Sequence, residues 1–429
     1  MREPMKTMKA EISRIYFALL VVFFLSGCFG TRDLSSENLS SVYRNTEQVF
    51  HPEFSIYQKS DSISEVSVRF RTSELLYVRQ SDDQFKANLK INVKLVESYE
   101  SPVVLDTTTL YYSFDMMEKG KTKVLTFDLH VKQLGTYLLN LSLVDENKNY
   151  SEESFVNFNN TDSLSRQFFK VCNLNGQSLF SQSISEKDTF RIEYYNPAIK
   201  KLWCKYYHRE FILPPTPFSF DVRDEFNYHP DSIFSIDLND TSGLTLVHQG
   251  FYHFQVDTTV KSGLTLFRFS NTFPDITTAQ QMYESMRYLT YKKEYESIKE
   301  KPSLKAAVDE FWLNRGGNAE RTRALIRKYY TRVEDANRYF SSYTEGWRTD
   351  RGMIYIIFGS PNSIYRGAVS ESWIYGTPNS NLSLNFFFVK VNNPFTDNDF
   401  TLTRSPIYES SWYRAVEVWR QGRAYNNMN

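Results

Sequence analysis

The segment Glu345-Gly346-Trp347-Arg348-Thr349-Asp350-Arg351-Gly352, which continues into Met353-Ile354-Tyr355-Ile356-Ile357-Phe358, decides how the last third of this chain folds. Its first half is rich in residues that favour turns, and its second half is an unbroken apolar run. This order predicts a tight turn that leads into a buried strand. Five of the six tryptophans lie after residue 310: Trp312, Trp347, Trp373, Trp412 and Trp419. We therefore expect this segment to lie in the core of a C-terminal domain.

Each residue of the motif has a structural interpretation. Gly346 would let the chain leave a preceding helix in the left-handed conformation, and Gly352 would allow a second tight bend. Trp347 would fill the seam between helices and sheet. Thr349 and Asp350 would accept backbone N–H bonds at the turn.

The charged residues leave functional alternatives open. Arg351 is predicted to pair with Asp350, Glu371 or Glu345. In one alternative, Trp347, Asp350 and Arg351 line a ligand cleft, where an aromatic surface beside a charge suits a sugar or a peptide strand. In another, Asp350 and Glu371 are the two carboxylates of a glycoside hydrolase.

Residues on both sides of the motif extend a resemblance to a known domain. The matching stretches outside it are Phe311-Trp312, Asn337-Arg338-Tyr339-Phe340, Arg351-Gly352-x-Ile354-Tyr355-Ile356, Gly359-x-Pro361, Glu371-x-Trp373-x-Tyr375 and Ala415-Val416-x-x-Trp419-Arg420-x-Gly422. With Gly346-Trp347-x-Thr349-Asp350 they resemble the GWxTD domain, a module of lipoproteins from Bacteroidota and related bacteria. The resemblance covers residues 280–425, and Ser360 stands where the family commonly has proline. It implies a family and no particular reaction.

The pattern after residue 274 predicts an α+β domain over residues 274–429, with helices packed on an antiparallel sheet. Apolar positions with a period of 3.6 mark three helices, and the third would bury Leu325, Tyr329, Val333, Ala336 and Phe340. Its basic residues, Arg332 among them, are interpreted as a solvated face, with an anionic partner as the alternative. The predicted strands are 353–358, 371–375, 382–390 and 400–404, and a last helix near 411–421 would bury Trp412 and Trp419.

Two tandem β-sandwich domains of immunoglobulin-like type are predicted before this region, over residues 51–160 and 161–273. Residues 85–95 show the pattern best, because every odd position is apolar and every even one polar. The strands predicted in the second domain are 167–172, 189–195, 202–207, 233–238, 244–248, 251–256 and 264–269. The two domains are interpreted as a stalk.

Few residues suit metal binding or redox chemistry. Cys172 and Cys204 are predicted either to form a disulfide or to be two buried thiols. His248 and His253 flank a turn near Asp257, and they are either plain turn residues or, less in keeping with known ligand spacings, a metal pair. Residues 397–399, Asp-Asn-Asp, resemble a fragment of a calcium loop and are interpreted as a polar turn.

The N-terminus predicts export and lipidation. Residues 15–25 are an apolar run that is too short to cross a bilayer, and a basic start precedes it: Arg2, Lys6, Lys9 and Arg14. Leu25-Ser26-Gly27-Cys28 resembles a bacterial lipobox, so residues 1–27 would be the signal peptide and Cys28 the lipidated residue; the alternative is an ordinary secretory signal. Phe29 in place of an aspartate favours the outer membrane, with the face undecided. Residues 28–50 are interpreted as a flexible tether.

Composition excludes several classes of function. The chain has 50 basic and 50 acidic residues, so there is no electrostatic reason to expect nucleic acid. No P-loop, Rossmann or G-x-S-x-G pattern is present, and histidine is absent after His253, so we expect no cofactor, no metal and no Ser–His–Asp site in the C-terminal domain.

These patterns favour a non-catalytic, outer-membrane-anchored lipoprotein whose C-terminal domain binds an envelope protein or a glycan, or scaffolds an envelope complex. The alternative is a cell-envelope hydrolase of the glycoside type that uses Asp350 and Glu371. The residues proposed for the motif or for binding are Gly346, Trp347, Thr349, Asp350, Arg351, Glu371 and Trp373.

Overall fold

The structure, a computed structural model, describes residues 33–44, 49–81, 83–131, 134–220, 226–378, 380 and 383–425. The predicted signal peptide and Cys28 lie outside these residues. Within them, no helix is both long enough and apolar enough to cross a membrane. The chain forms two β-domains and a C-terminal α+β domain, which confirms the predicted fold class.

The first β-domain consists of two antiparallel sheets with one core between them. Its strands are β1 (Glu53–Gln58), β2 (Ile63–Arg71), β3 (Val78–Arg79), β4 (Phe85–Val96), β5 (Val104–Asp115), β6 (Thr122–His130), β7 (Thr136–Asp145) and β8 (Tyr150–Asn159). The first sheet has the order β1-β2-β6, and the second has the order β3-β4-β7-β8, with β5 also paired to β4. Ala87, Leu89, Ile91 and Val93 of β4 are buried, as the period-two pattern predicts.

The second β-domain has the same two-layer arrangement. Its strands are β9 (Phe169–Asn173), β10 (Phe190–Tyr194), β11 (Lys201–Tyr207), β12 (Ser232–Asp237), β13 (Gly250–Gln255) and β14 (Leu264–Arg268). They form a two-stranded sheet of β9 and β10 and a four-stranded sheet with the order β12-β11-β13-β14. The prediction of a strand at 244–248 is wrong, because Leu244 makes only an isolated bridge to Phe190. Cys172 and Cys204 are both buried free thiols, so the disulfide alternative is not realised.

The C-terminal domain packs six helices against an antiparallel sheet. The helices are α1 (Ala279–Ser285), α2 (Lys292–Lys299), α3 (Leu304–Gly316), α4 (Ala319–Phe340), α5 (Asp350–Phe358) and α6 (Glu409–Arg420). The strands are β15 (Ser363–Arg366), β16 (Ser370–Tyr375), β17 (Leu384–Lys390) and β18 (Phe400–Leu402), and they pair in chain order. Asn318 caps α4, and the five residues predicted for the stripe of α4 are all buried.

The prediction of a strand at 353–358 is wrong, because these residues belong to α5. All nine residues of α5 are buried, so its sequence carries no amphipathic period. A fully apolar run of this length cannot be assigned to helix or strand from its pattern alone. Thr349 settles the choice locally, since its Oγ1 accepts a hydrogen bond from the N–H of Gly352 at 3.1 Å and caps the first turn. The first strand of the sheet is β15.

The segment 33–44 is not a flexible tether, because it packs on the C-terminal domain. Leu39 and Tyr43 are 5% and 3% exposed. The N–H of Leu39 donates to the carbonyl oxygen of Ile364 at 2.9 Å, next to β15, and the hydroxyl of Tyr355 in α5 donates to the carbonyl oxygen of Tyr43 at 3.0 Å. This part of the tether prediction is wrong, because the segment is mostly polar but contains two buried side chains, Leu39 and Tyr43.

The two β-domains do not form a stalk that holds the C-terminal domain at a distance. Each of the three domains contacts the other two. One contact from each interface is the ion pair of Lys170 with Glu65 at 2.7 Å, the ring pair of Phe251 with Phe395 at 4.9 Å, and the hydrogen bond from Ala368 N to Glu100 Oε1 at 2.6 Å. The three domains therefore pack against one another, and a cleft lies between them.

Candidate functional site

The two glycines of the motif lie where backbones touch. A Cβ on Gly346 would be 1.9 Å from the carbonyl oxygen of Ala336 in α4, and a Cβ on Gly352 would be 1.9 Å from the carbonyl oxygen of Gly346. Neither glycine has a positive φ, so the predicted left-handed exit at Gly346 and the predicted bend at Gly352 are wrong. Glycine is needed at both positions because α4, the 3-10 turn Gly346–Arg348 and α5 are in backbone contact.

Trp347 is a buried part of the framework. Its side chain is 3% exposed, its Nε1 donates to Glu345 Oε2 at 3.2 Å, and the guanidinium of Arg348 lies 4.3 Å from the ring centroid. Its backbone is held as well, since its carbonyl oxygen accepts from the hydroxyl of Tyr288 at 2.8 Å and its N–H donates to Asn337 Oδ1 at 3.2 Å. The backbone N–H of Trp347 therefore fixes the turn against α4, and the indole packs within the turn.

Asp350 connects the start of α5 to β18. It is fully buried, and its Oδ1 accepts from Arg404 Nη2 at 2.6 Å. Its Oδ2 accepts from the backbone N–H of Leu402 at 2.9 Å and from the hydroxyl of Thr401 at 3.2 Å. A carboxylate in the first turn of a helix also interacts favourably with the helix dipole.

Glu371 is the centre of a second buried charge cluster. Its Oε2 lies 3.0 Å from Arg351 Nη1, and its Oε1 lies 3.5 Å from Arg366 Nη2 and accepts from Trp373 Nε1 at 2.9 Å. Burial alone would raise the pKa of Glu371, but the guanidinium groups of Arg366 and Arg351 outweigh it and hold the pKa below its ordinary value. Of the three partners predicted for Arg351, the structure shows Glu371.

The same cluster joins distant parts of the chain. Arg366 donates to the hydroxyl of Tyr43 in the N-terminal segment and to that of Tyr99 in the first β-domain. Arg351 Nη2 donates to the carbonyl oxygen of Asn398 at 2.9 Å, and the amide of Asn398 donates in turn to the carbonyl oxygen of Tyr339 at 2.9 Å. Asn398, in the Asp-Asn-Asp stretch predicted as a polar turn, therefore acts as a structural link.

The structure buries all seven residues that were proposed for the motif or for binding: Gly346, Trp347, Thr349, Asp350, Arg351, Glu371 and Trp373. It joins Arg351, Glu371 and Trp373 in one cluster and places Asp350 in another. Sequence reasoning missed their partners Tyr43, Tyr99, Arg366 and Arg404, which are isolated polar residues far from the motif and carry no local signal. The geometry favours the structural interpretation over a ligand cleft at the motif.

A comparison with family models decides what this C-terminal region is. Residues 250–421 match the model of the GWxTD domain. This region is a GWxTD domain. The match begins at Gly250, which is earlier than the start at residue 280 that the sequence indicated, so it includes β13 and β14 of the second β-domain. The motif that gives the GWxTD domain its name is, in this chain, the buried junction of α4, α5 and β18.

Two further comparisons add little to the GWxTD assignment. The comparison with curated proteins found no match. Among solved structures, red sea bream transglutaminase aligns with 54% of this chain at 13% identity and a TM-score of 0.19. The alignment spans 33% of the transglutaminase chain.

A large concave surface lies between the GWxTD domain and the two β-domains, with a volume of about 1380 Å³. We call it the interdomain cleft. Its aromatic lining includes the half-buried rings of Phe180, Phe269, Phe273 and Tyr339, and its charged lining includes Arg69, Arg71, Glu74, Arg166, Asp188 and Arg338. A smaller cavity of about 490 Å³ shares Arg166, Thr396 and Asp397 with it, so the two spaces adjoin.

Two polar oxygens in the lining of the interdomain cleft are unsatisfied. Within the described residues, Tyr339 Oη and Ser270 Oγ are buried and have no hydrogen-bond partner. Burying such groups without a partner costs free energy, so natural proteins usually supply one. Both residues belong to the lining of the cleft, so a small shift of either side chain would bring its hydroxyl group to a ligand there.

The metal alternative at His248 and His253 has no support in the structure. His253 is buried, with Nε2 3.0 Å from the carbonyl oxygen of Lys261 and Nδ1 2.9 Å from the hydroxyl of Thr265. A carbonyl only accepts, so Nε2 carries the proton and Nδ1 accepts from the hydroxyl. Among the residues that the structure describes, no group of three or more His, Cys, Asp or Glu could hold a metal ion.

The buried His253 predicts a pH-dependent stability. Burial lowers the pKa of His253 to about 4, whereas an unfolded chain would have a pKa of about 6.5. Above pH 6.5 His253 is neutral in both the folded and the unfolded chain, and the free energy of unfolding is highest. As the pH falls towards 4, the unfolded chain takes up a proton on this residue and the free energy of unfolding decreases. Between pH 7 and pH 4.5 we expect a loss of about 2.5 kcal/mol from this residue. Urea unfolding followed by circular dichroism should show this loss in the wild type and not in His253→Gln.

His130→Gln is the control for this measurement, because His130 is exposed at the end of β6. Its pH dependence should equal that of the wild type. An H253Q variant that loses as much stability as the wild type over this range would contradict the assignment.

Proposed function

We propose that this protein is a non-catalytic lipoprotein of the outer membrane, attached through lipidated Cys28, that binds a segment of an envelope protein or a glycan. The observation that carries this proposal is the interdomain cleft, in which aromatic and charged residues from all three domains line a common space. The lipobox-like sequence before Cys28 supports the location. The buried motif serves as the framework that holds one wall of this cleft.

The size of the interdomain cleft supports a polymeric ligand. Small-molecule sites usually occupy about 300–1,000 Å³, and this cleft has about 1380 Å³. Its aromatic surfaces stand beside cationic groups, as where the guanidinium of Arg69 lies 4.7 Å from the ring centroid of Phe180. Flat apolar faces beside hydrogen-bonding groups suit both a sugar ring and an extended peptide.

The hydrolase alternative is less well supported. A glycosidase needs two carboxyl groups that flank the scissile bond in an open site. Asp350 and Glu371 are both fully buried, and each is paired with arginine: Asp350 with Arg404, and Glu371 with Arg351 and Arg366. Substrate would have to displace these ion pairs to reach either carboxylate, so we propose binding and no hydrolysis.

Blocking the interdomain cleft should abolish ligand capture. His51→Trp and Asn271→Trp place indoles at exposed positions on the first and second β-domains within the lining. We expect the species that co-purifies with full-length wild-type protein from solubilised outer membranes to be lost in both variants, because the indoles occupy its space. Mass spectrometry and sugar analysis of the eluates would show whether the protein or glycan that co-purifies with the wild type is still present.

Thr241→Trp is the matched control, because Thr241 is exposed on the second β-domain and does not line the cleft. It should capture the same species as the wild type. The proposal fails if the cleft variants retain that species. It also fails if nothing co-purifies and the purified protein releases sugars from envelope glycans.

A further inference from the structure

The first described residues of the chain, from residue 33 onwards, contact both the first β-domain and the GWxTD domain. Ser35 N donates to the carbonyl oxygen of Tyr99 at 2.8 Å, and Asn38 Oδ1 accepts from the N–H of Ile364 at 3.0 Å. Cys28 precedes Asp33 by five residues. Because an extended chain spans at most about 3.6 Å per residue, Cys28 lies within about 18 Å of Asp33 in any conformation. A lipid on Cys28 would therefore hold this side of the molecule against the bilayer.

Four aliphatic side chains are exposed on segments close to this point of the chain. They are Val103, Val104 and Leu105 at the start of β5, with 48%, 50% and 47% exposed, and Val369 before β16, with 66% exposed. We call these residues the anchor-side patch.

Backbone contacts tie the anchor-side patch to the N-terminal segment. The carbonyl oxygen of Val103 accepts from the N–H of Glu97, two residues before Tyr99, at 3.4 Å. Glu100, one residue after Tyr99, accepts from the N–H of Ala368 beside Val369 at 2.6 Å. Both turns that carry the patch therefore contact residues within two positions of Tyr99, whose carbonyl oxygen accepts from the N–H of Ser35.

We propose that the anchor-side patch rests on the phospholipid surface, so that the bilayer is its partner and β5 leads away from the membrane. This rests on the proposed lipidation of Cys28. The short reach from Cys28 brings the patch to the headgroup region, where exposed aliphatic side chains gain from leaving water. The molecule is then moored beside its GWxTD domain, and the β-domains do not separate that domain from the bilayer.

The side chains along β5 show where the contact with the bilayer ends. The four residues that follow Leu105, which are Asp106, Thr107, Thr108 and Thr109, are exposed and polar and favour water. The strand runs from Val104 to Asp115. At a rise of about 3.3 Å per residue its far end is about 36 Å away. Met117, which is 85% exposed just after that end, is therefore a reference position remote from the patch.

Lipid-borne quenchers can test this orientation. Val104→Cys, Val369→Cys and Met117→Cys would each be labelled with a fluorophore in full-length acylated protein, because the native Cys172 and Cys204 are buried. The protein is then reconstituted in vesicles of phosphatidylethanolamine and phosphatidylglycerol that contain a headgroup nitroxide lipid. Since the strand separates the sites by about 36 Å, we expect quenching at positions 104 and 369 to exceed that at 117 at least about three-fold.

Three results would overturn the proposal. With acylated Cys28, equal quenching at all three positions or stronger quenching at 117 contradicts the patch and leaves the proposed function intact. Self-quenching between probes at 104 in detergent, without quenching by lipid, makes a second copy of the chain the occupant. An unmodified Cys28, shown by mass spectrometry of its peptide, contradicts the proposed lipidation, and the patch proposal falls with it.

Discussion

Replacing Glu371 with glutamine is expected to lower the free energy of unfolding of the GWxTD domain by about 3–5 kcal/mol. The substitution keeps the shape of the side chain and removes its charge, which leaves the guanidinium groups of Arg351 and Arg366 buried without their counter-charge. The cluster also holds the N-terminal segment and the first β-domain through Tyr43 and Tyr99, so the damage extends beyond one ion pair. Tryptophan fluorescence during urea unfolding reports this domain, because it contains five of the six tryptophans.

Glu310→Gln is the matched control for this prediction. Glu310 also pairs with a cation, Lys301 at 2.5 Å, but the two side chains are 55% and 43% exposed. Solvent screens such a pair, and its loss should change the free energy of unfolding by at most about 0.5–1 kcal/mol. If E371Q and E310Q lower the unfolding midpoint equally, the buried cluster does not stabilise the fold as described.

Replacing Gly346 with alanine should lower the stability of the GWxTD domain by about 4 kcal/mol or more, which is the range of severe core defects. The added Cβ would lie 1.9 Å from the carbonyl oxygen of Ala336 and 2.9 Å from the Cα of Asn337. Both obstacles belong to the backbone of α4, so no side-chain rotation relieves them. The 3-10 turn would have to move away from α4 and take Trp347 with it. Loss of the cooperative fluorescence transition, or a large fall in its midpoint, would show this.

Gly317→Ala separates this steric effect from the ordinary cost of replacing glycine. Gly317 ends α3 with a φ of 73°, and a Cβ there would meet nothing within 4 Å. Its replacement therefore costs only the left-handed backbone strain, about 1–2 kcal/mol. A G346A variant as stable as G317A would mean that α4 and the turn are not in backbone contact.

Several elements could be predicted because their signals are local. The alternation in β4 places Leu89 and Ile91 in the core of a sandwich, and the 3.6-residue spacing in α4 does the same for Tyr329 and Val333. Asn318, with glycine before it, marks the start of α4. In each case the residues that cause the structure lie within a few positions of one another. A strand or helix has its apolar and polar faces in one short stretch, and a helix cap lies next to the turn that it caps.

Arg332 shows why other features could not be predicted. Its place among basic residues of α4 suggested a solvated face, yet it is 6% exposed and donates to the carbonyl oxygens of Ile356 and Ile357 at 3.1 and 3.2 Å. Those carbonyls are at the C-terminal end of α5, where a helix leaves acceptors unpaired. Because residues 353–358 were predicted as a strand, there was no reason to expect a helix end with unpaired carbonyl oxygens there for Arg332 to bind.

The sequence by itself determined the β-rich N-terminal part and the GWxTD domain, because periodicity and residue type are properties of short stretches. Only the tertiary structure decided that Gly346 is a point of backbone contact, that Tyr43 holds the N-terminal segment against the GWxTD domain, and that three domains enclose a cleft. Each of these depends on residues that are distant in sequence, such as Tyr43 and Arg351, whose numbers differ by 308. A hydrogen bond or an ion pair between residues so far apart produces no pattern in the sequence around either partner.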